Sequence, residues 1–303
     1  MKRKHNIAIL LLLGLHCSAA AQIHITGSTN IGTFRTEVPE EVRGDSASPA
    51  IEKMIVSRTS SGRNWLWLIG ISQYAHWRSL PNPVSDAKAV RDMLLEKYRF
   101  DRKYLIEMYD KQGTRENIIK KFEQLVRELL PTDNLFIYFA GHGLFDNTID
   151  VGYWIPVEAA LGSAASYIRN NDIQPYLKAM KSRSILIVSD ACFSATVFRG
   201  DVPRFRYNNP ERYFEEASRK PARQVLTSGG NEPVTDGGIS INHSVFAYFL
   251  LDALKNSNAP YLPAISLFET IQIPVTNRSL QKPELITLYG AGHDGGEFIF
   301  VKK

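Results

Sequence analysis

Two short apolar runs constrain the fold of this chain most strongly. Leu135–Ala140 and Ser184–Ser189 have the length of buried strands, and each run breaks into small residues at its end. His142 follows the first run, and Cys192 follows the second run fifty residues later. Two buried strands that end in His and Cys can place both side chains at the same edge of one sheet. That is the arrangement that a thiol nucleophile and its base require.

The chain from Trp65 onward alternates strand-length and helix-length segments. We predict strands at Trp65–Ile71, Tyr104–Tyr109, Leu135–Ala140, Ser184–Ser189, Gln224–Thr227 and Glu297–Val301. We predict helices at Ser85–Tyr98, Thr114–Leu130, Asp172–Met180, Ser244–Lys255 and Leu267–Ile273. Alternation of this kind predicts an α/β fold, with a mostly parallel central sheet and helices on both faces.

The first 21 residues have the three parts of a secretory signal peptide. Lys2–Lys4 give a basic start, Ile7–Leu15 an apolar stretch, and Ala19–Ala21 a small-residue cleavage site. No segment reaches the roughly 20 apolar residues that span a bilayer, so we expect a secreted or periplasmic protein without a transmembrane segment. A buried N-terminal element is the alternative. Lipid attachment at Cys17 is a weaker one, because the neighbouring His16 is bulky.

Two further regions differ in composition from the alternating core. Residues 22–62 are rich in Ser, Thr, Gly and Glu and carry no sustained period, which predicts an extended lead-in segment before a folded domain at 63–303. Residues 197–223 hold three prolines, six arginines and few aliphatic side chains, which predicts an exposed loop. The arginines of this loop are Arg199, Arg204, Arg206, Arg212, Arg219 and Arg223.

The charge of the chain gives little support for nucleic-acid binding. The sequence has 36 Lys and Arg against 31 Asp and Glu, a formal net charge of +5. Loss of the signal peptide removes three of those basic residues and lowers the net charge to +2. No stripe of Lys and Arg interleaved with aromatic residues appears. We expect a peptide or protein substrate as the partner, and the sequence leaves open whether the protein is a monomer or a homodimer.

Cys192 is the only cysteine left after removal of residues 1–21, so no intramolecular disulfide can form. An odd cysteine in a secreted protein indicates a free reactive thiol or intermolecular pairing, and the plainer alternative is an inert buried cysteine. His142 could take the thiol proton and later deliver it to the leaving amine. The amides of Gly143 and Cys192 could form an oxyanion hole, in which each donor is worth about 3 kcal/mol.

These motifs resemble those of the caspase-like clan of cysteine peptidases, over roughly Arg63–Lys303. Phe139–Gly143, which reads Phe-Ala-Gly-His-Gly, is similar to the histidine motif of that clan. Asp190–Ala195, which reads Asp-Ala-Cys-Phe-Ser-Ala, resembles the nucleophile motif of metacaspases and bacterial caspase-like proteins more than the Gln-Ala-Cys-x-Gly of animal caspases. The resemblance implies a caspase-hemoglobinase fold, with Cys192 as the nucleophile and His142 as the base.

The resemblance also bears on substrate specificity. Animal caspases bind an acidic side chain through an arginine just before the first helix, and Leu80 stands at that position here. Metacaspases use two carboxylates instead, and Asp86 and Asp190 match their positions. Carboxylates in a pocket favour Arg or Lys in the substrate. Asp236 resembles a residue of a loop that lines the substrate cleft.

Each of these acids has a plainer interpretation. Asp86 could be a helix N-terminal acid, Asp190 a strand-end residue held by backbone amides, and Asp236 an ordinary turn acid. We expect His243 to cap or pack against the helix that starts at Ser244, and His293 to face solvent from a Gly-rich turn.

The sequence thus predicts a secreted caspase-like cysteine endopeptidase that uses a His142–Cys192 dyad and cleaves after Arg or Lys. The exposed loop would then carry candidate self-cleavage sites, against the alternative of a solvated loop that is never cut. One rival is a catalytically inactive caspase fold that serves as a binding or scaffold protein, and another is a metal- or redox-linked role for the lone thiol. No cluster has structural zinc spacing, so we expect no metal or other cofactor. Some metacaspases depend on calcium, but no oxygen-rich loop assigns such a site here.

Overall fold

The structure is a computed structural model that describes residues 49–59, 61–191, 210–229 and 242–303. The predicted signal peptide, Cys192 and Asp236 lie outside the described residues. The strands are β1 (Asn64–Gly70), β2 (Leu105–Tyr109), β3 (Asn134–Ala140), β4 (Gly143–Asp146), β5 (Val151–Trp154), β6 (Ile168–Arg169), β7 (Ser184–Asp190), β8 (Ala222–Thr227), β9 (Tyr261–Pro263), β10 (Glu284–Thr287) and β11 (Ile299–Val301). The helices are α1 (Pro49–Thr59), α2 (Pro83–Lys97), α3 (Arg115–Glu128), α4 (Asn170–Ala179), α5 (Pro210–Ala217), α6 (Val245–Asn256) and α7 (Ala264–Arg278).

Six of these strands form the central sheet, in the order β10-β8-β7-β3-β1-β2. Neighbouring strands are parallel except β10, which pairs antiparallel with β8. Every residue of β3 and β7 is buried, as expected for central strands that are covered on both faces. The predicted α/β fold with a mostly parallel sheet is therefore confirmed.

Helices cover both faces of this sheet. One face, which includes Phe136 and Leu186, packs against α2, α6 and α7. The opposite face, which includes Ile137 and Ile187, packs against α3 and α4. Successive side chains of a strand point to opposite faces, so the same two apolar runs supply both layers of the core. Each such side chain contributes roughly 1.5–3 kcal/mol by its burial.

The prediction of an extended lead-in over residues 22–62 is wrong in its last part, which forms α1. Ile55 of this helix is fully buried in a small apolar cluster with side chains of β9 and β11. At the helix end, Arg183 donates to the carbonyl oxygens of Arg58 at 2.7 Å and Thr59 at 3.2 Å. These bonds satisfy carbonyls that a helix C-terminus leaves without partners. The folded domain thus begins before its predicted boundary.

The prediction of an exposed loop over residues 197–223 is wrong from residue 210 onward. α5 occupies eight of these positions, and β8 begins at Ala222. Arg223 is only 4% exposed, because its guanidinium fills a ring of carbonyl oxygens at the end of α4 and in the turn that follows. The accepting carbonyls belong to Leu177, Met180, Ser182, Arg183 and Ala222. Burial lowers the pKa of Arg223 to about 10. Arg223 is therefore a structural residue and not an exposed cleavage site.

The expectation that His293 faces solvent is wrong, because the ring is buried against β8. Its Nδ1 accepts a hydrogen bond from the Arg223 amide at 3.2 Å. Burial, with the nearby Arg223 charge, lowers the pKa of His293 to about 4. The ring therefore serves the packing of the turn rather than a solvent-exposed role.

Two small antiparallel sheets flank the central sheet. The order β4-β5-β6 forms the first, directly after the end of β3. β11 pairs with β9 in the second, so the predicted closing strand at Glu297–Val301 does not join the central sheet. None of the helices in the described ranges is long and apolar enough to cross a membrane.

Candidate active site

The register between β3 and β7 sets the edge at which the predicted dyad should meet. Ala140 and Asp190, the last residues of the two strands, are direct partners. The Gly141 amide donates to the Asp190 carbonyl oxygen at 3.4 Å, which continues the pairing one residue further. His142 follows Ala140 by two residues, as Cys192 follows Asp190. Because Cys192 lies outside the described residues, its approach to His142 stays a prediction.

His142 is held by the loop at residues 71–80, which follows β1. Its backbone amide donates to the Tyr74 hydroxyl at 2.7 Å, and its Nε2 lies 2.7 Å from the carbonyl oxygen of Arg78. A carbonyl oxygen only accepts hydrogen bonds, so Nε2 carries a proton. In the neutral imidazole the lone pair then lies on Nδ1, the nitrogen that can accept a thiol proton.

The Tyr74 hydroxyl occupies the space that a side chain at position 141 would need. A Cβ at this position would lie 2.5 Å from the Tyr74 hydroxyl oxygen, which is inside van der Waals contact. The Tyr74 hydroxyl therefore has two effects. It accepts the hydrogen bond that positions His142, and it occupies the space that a side chain at position 141 would need.

Gly143, the predicted oxyanion donor, opens β4. In the ladder between β4 and β5, the pair that precedes Gly143 and Trp154 is His142 and Ile155. This pair is hydrogen-bonded, because the Ile155 amide donates to the His142 carbonyl oxygen at 3.1 Å. Hydrogen-bonded and non-hydrogen-bonded pairs alternate in an antiparallel ladder, so Gly143 and its partner Trp154 form a non-hydrogen-bonded pair. The Gly143 amide consequently points away from β5, as an oxyanion donor must.

The predicted pocket residues Asp86 and Asp190 converge on the start of α6. Both are buried, at 1% and 4% exposure. The Ser244 amide donates to Asp86 Oδ2 at 3.1 Å, and the Ser244 hydroxyl donates to Asp190 Oδ2 at 2.6 Å. The two carboxylates, which are far apart in the sequence, thus share one helix N-terminus, where the helix dipole favours negative charge.

Two neighbouring side chains complete this polar group. His243 donates from Nδ1 to Asp86 Oδ1 at 2.5 Å, so it packs at the helix start, as predicted, through a partner that the prediction did not name. The Tyr138 hydroxyl donates to Asp190 at 3.4 Å. Burial, together with the charges of Asp190 and Asp86, raises the pKa of Tyr138 well above its ordinary value, so the hydroxyl remains a donor.

Several residues of the site carried little or no signal in the sequence. Tyr74, Trp77 and the Arg78 carbonyl contact His142 from a loop without periodicity, and Tyr138 and Ser244 are ordinary strand and helix-cap residues by pattern. Only Ser244, as a residue of the type that caps helices, could have been singled out. Within the described ranges, no three His, Cys, Asp or Glu side chains are grouped so that they could hold a metal ion.

Comparison with known proteins agrees with this architecture. Residues 63–287, about three quarters of the chain, match the caspase domain of the peptidase C14 family. The chain belongs to the caspase-domain family. A solved relative in fold, protein GSU0716 from Geobacter sulfurreducens, has a TM-score of 0.50 and 16% sequence identity over 74% of this chain and 93% of that one. This likeness concerns the fold alone.

Curated relatives of this caspase domain are metacaspases of fungi. Metacaspase-1 of Pyricularia oryzae is 27% identical over 158 residues, which cover 47% of this chain and 39% of the relative. Metacaspase-1B of Aspergillus fumigatus is 26% identical over 183 residues, 55% of this chain and 43% of the relative. The matches thus span about two fifths of the length of these metacaspases.

Proposed function

We propose that this protein is a secreted caspase-like cysteine endopeptidase that cleaves after Arg or Lys. One observation carries the proposal: His142 and Cys192 stand at the same two-residue offset beyond Ala140 and Asp190, which are paired at the ends of adjacent parallel strands. Membership of the caspase-domain family supports cysteine peptidase chemistry. The predicted signal peptide at residues 1–21 supports secretion.

The chemistry follows from the tautomer of His142. Nδ1 takes the proton of the Cys192 thiol, and the thiolate attacks the carbonyl carbon of the scissile bond. The Gly143 and Cys192 amides bind the oxyanion that forms. The imidazolium then gives its proton to the leaving amine, and a thioester to Cys192 remains. Water, deprotonated by the same imidazole, hydrolyses the thioester and regenerates the thiol.

The Arg78 carbonyl has a defined part in this cycle. Because it accepts from Nε2 at 2.7 Å, it keeps the imidazole in the tautomer that leaves Nδ1 as the base. The same contact stabilises the imidazolium after proton transfer, since the proton on Nε2 then carries part of the positive charge.

The preference for Arg or Lys rests on Asp86 and Asp190. Two carboxylates at one helix start, next to the end of β7, would attract a cationic side chain and repel an acidic one. Leu80, at the position of the caspase arginine, offers no positive charge to an acidic substrate.

Turnover of peptide libraries by the wild type and the Cys192→Ala variant tests this function. We expect the wild type, under reducing conditions, to cleave after Arg and Lys and to leave Asp-containing peptides intact. Cys192→Ala should have no measurable activity, and His142→Ala should lose several orders of magnitude in kcat/KM because base and thiolate partner disappear together. The assay is run with and without calcium, since some metacaspases depend on that ion.

Three outcomes would contradict the proposal. Wild-type activity in Cys192→Ala would show that the thiol is not the nucleophile. Cleavage after Asp would overturn the pocket assignment. A wild type that binds peptides but never cleaves them, with or without calcium, would point to a non-catalytic binding protein.

A further inference from the structure

Two aromatic rings contact the imidazole of His142. The ring centroid of Tyr74 lies 4.8 Å from that of His142, with 55° between the planes. The ring centroid of Trp77 lies 5.3 Å away, with 42° between the planes. Both rings belong to the loop at residues 71–80 that also supplies the Arg78 carbonyl. This one loop therefore places a hydrogen-bond acceptor and two aromatic rings against His142, the proposed base.

This loop is fixed to its surroundings at several points. Asp110 Oδ1 accepts from the amides of Ser72 at 2.8 Å and Gln73 at 2.9 Å. The Ala75 amide donates to the Val157 carbonyl oxygen at 2.9 Å. Trp77 also packs edge-on against Tyr167, with 5.9 Å between ring centroids. The two rings at His142 are thus held in place and are not freely rotating surface side chains.

Aromatic rings attract cations through their negative faces, within about 6 Å of the ring centroid. Both distances at His142 fall inside that range. A neutral imidazole gains little from this attraction, whereas the imidazolium that forms when Cys192 loses its proton gains more. The attraction therefore stabilises the protonated form of His142, which is the form that pairs with the Cys192 thiolate.

We propose that Tyr74 and Trp77 are positioning residues that stabilise the His142 imidazolium and so the reactive thiolate of Cys192. This inference rests on the proposed His142–Cys192 dyad and deepens it. Trp77 contributes through its ring. Tyr74 contributes through its ring and through the hydroxyl that accepts from the His142 amide.

Other titratable and charged groups lie near the imidazole. Burial raises the pKa of Tyr74 well above its ordinary value, so its hydroxyl is neutral at working pH. The loop itself carries the side chains of His76 and Arg78, the Asp110 carboxylate binds the loop amides, and Tyr167 packs on Trp77. Substitution of Trp77 leaves all of these groups, and the Cys192 thiol, in the protein.

Alkylation of Cys192 by iodoacetamide measures the thiolate directly and without any substrate. The reaction is followed on the peptide that contains Cys192 by mass spectrometry, so that Cys17 does not contribute. We expect Trp77→Leu to lower the alkylation rate at pH 6 by about 2- to 30-fold, since a cation–π contact is worth 0.5–2 kcal/mol. At pH 10, well above the ordinary thiol pKa of roughly 8.5, the variant and the wild type should react equally.

Matched variants separate this effect from a general loss of packing. Trp77→Phe keeps a ring face and should stay close to the wild type, and Trp77→Met is a second replacement without a ring should Trp77→Leu fail to fold. Tyr104→Leu removes a half-buried ring that packs on Trp65, away from the site, and should leave the pH 6 rate unchanged. Peptidase assays should show a lower kcat for Trp77→Leu with KM within about twofold of the wild type.

The outcomes distinguish the two proposals. Equal pH profiles for Trp77→Leu and wild type, or the same loss in Tyr104→Leu, would overturn the positioning role alone. A wild-type thiol that reacts only above about pH 8 would also overturn the positioning role, because it would show no imidazolium–thiolate pair in the resting protein. The same result together with no turnover of peptides would contradict the dyad itself.

Discussion

Ser244 contacts both of the carboxylates, Asp86 and Asp190, that we propose for the substrate pocket. Its amide binds Asp86, and its hydroxyl donates to Asp190 while accepting from the Ala247 amide at 3.0 Å as the N-cap of α6. Helix capping and carboxylate orientation thus use the same side chain. A shift in the start of α6 therefore alters one hydrogen bond to each of the two carboxylates.

At Asp190 we expect that the effect of the negative charge on activity can be separated from the effect of the side chain on stability. Asp190→Asn keeps an oxygen that can accept from Ser244 but removes the negative charge. Loss of a charge-assisted bond to a cationic substrate should lower kcat/KM for Arg and Lys peptides by about 10- to 100-fold, while the melting temperature changes little. Steady-state kinetics and thermal unfolding measure the two effects.

Asp252→Asn provides the matched control for this experiment. Asp252 is exposed on α6 and bonds to Asn256 within the same helix. The Asp252→Asn variant should have the same steady-state kinetics as the wild type. Unchanged turnover in Asp190→Asn would remove Asp190 from the pocket, and a large drop in melting temperature would indicate a structural role instead.

At the scale of elements, Glu297 joins α7, β8 and the approach to β11. Its Oε1 accepts from the Ile265 amide at 2.8 Å at the start of α7, and its Oε2 accepts from Gln224 Nε2 on β8 at 3.0 Å. Gln224 in turn accepts from the Phe298 amide at 2.8 Å. Burial raises the pKa of Glu297 from 4.5 to about 7. Three elements therefore meet at one buried carboxyl group, which keeps its proton to a higher pH than an exposed glutamic acid does.

This shift predicts a pH-dependent stability. Between pH 4.5 and 7 the folded protein holds a proton on Glu297 that the unfolded chain has lost, so the free energy of unfolding falls as pH rises through that window. The loss amounts to about 3 kcal/mol by pH 8. Glu297→Gln should remove this dependence, which urea unfolding at pH 5 and pH 8 would measure.

Glu123→Gln serves as the control, because Glu123 is exposed on α3. It should retain the wild-type difference between pH 5 and pH 8. The difference between the free energies of unfolding at pH 5 and pH 8 is taken within each variant, so any pH-independent loss of stability caused by the substitution cancels. An unaltered difference in Glu297→Gln would show that other groups set the pH dependence.

At the scale of the whole molecule, the structure narrows where self-cleavage can occur. Arg223 is buried in its ring of carbonyls, Arg219 pairs with Glu215 at the end of α5, and Arg212 lies within α5. Folded helix and strand backbone does not fit a protease cleft. We expect cuts in the wild type at Arg199, Arg204 or Arg206, which lie outside the described residues, or at Arg219, which is exposed in the turn after α5.

Fragment mapping by mass spectrometry, with Cys192→Ala as the control, checks this expectation. Cuts in the wild type alone would support self-processing. The same cuts in both proteins would indicate another protease, and cleavage after Arg223 would contradict the structural role of that residue. An intact and fully active wild type would show that maturation is not needed.

The sequence predicted five of the six strands of the central sheet, because these strands are apolar and helices alternate with them, but it did not predict the edge strand β10. It failed where an element depends on one distant partner. α1 has few buried side chains, and its end is held by Arg183, more than 120 positions away. Arg223 looked like a loop residue because arginine is usually exposed, and only the converging carbonyls of the α4 turn explain its burial.

The same distinction applies to the candidate site. His142, Gly143 and the strand-end Asp190 could be identified from motifs, since strand ends meet at one edge of a parallel sheet. The loop that fixes the imidazole could not, because Tyr74 and Trp77 lie in a segment without a period. The link between Asp86 and Asp190 through Ser244 also required the fold, because three separate elements meet there.

The close approach of the Tyr74 hydroxyl to Gly141 has an evolutionary consequence. A larger residue at position 141 requires the hydroxyl at position 74 to move or to be absent, since its Cβ would otherwise lie 2.5 Å from that oxygen. The two positions should therefore change together across related sequences, with alanine or serine at 141 accompanied by phenylalanine or a smaller residue at 74. Within such lineages the histidine amide must find a different acceptor, which would mark a separate branch of the family.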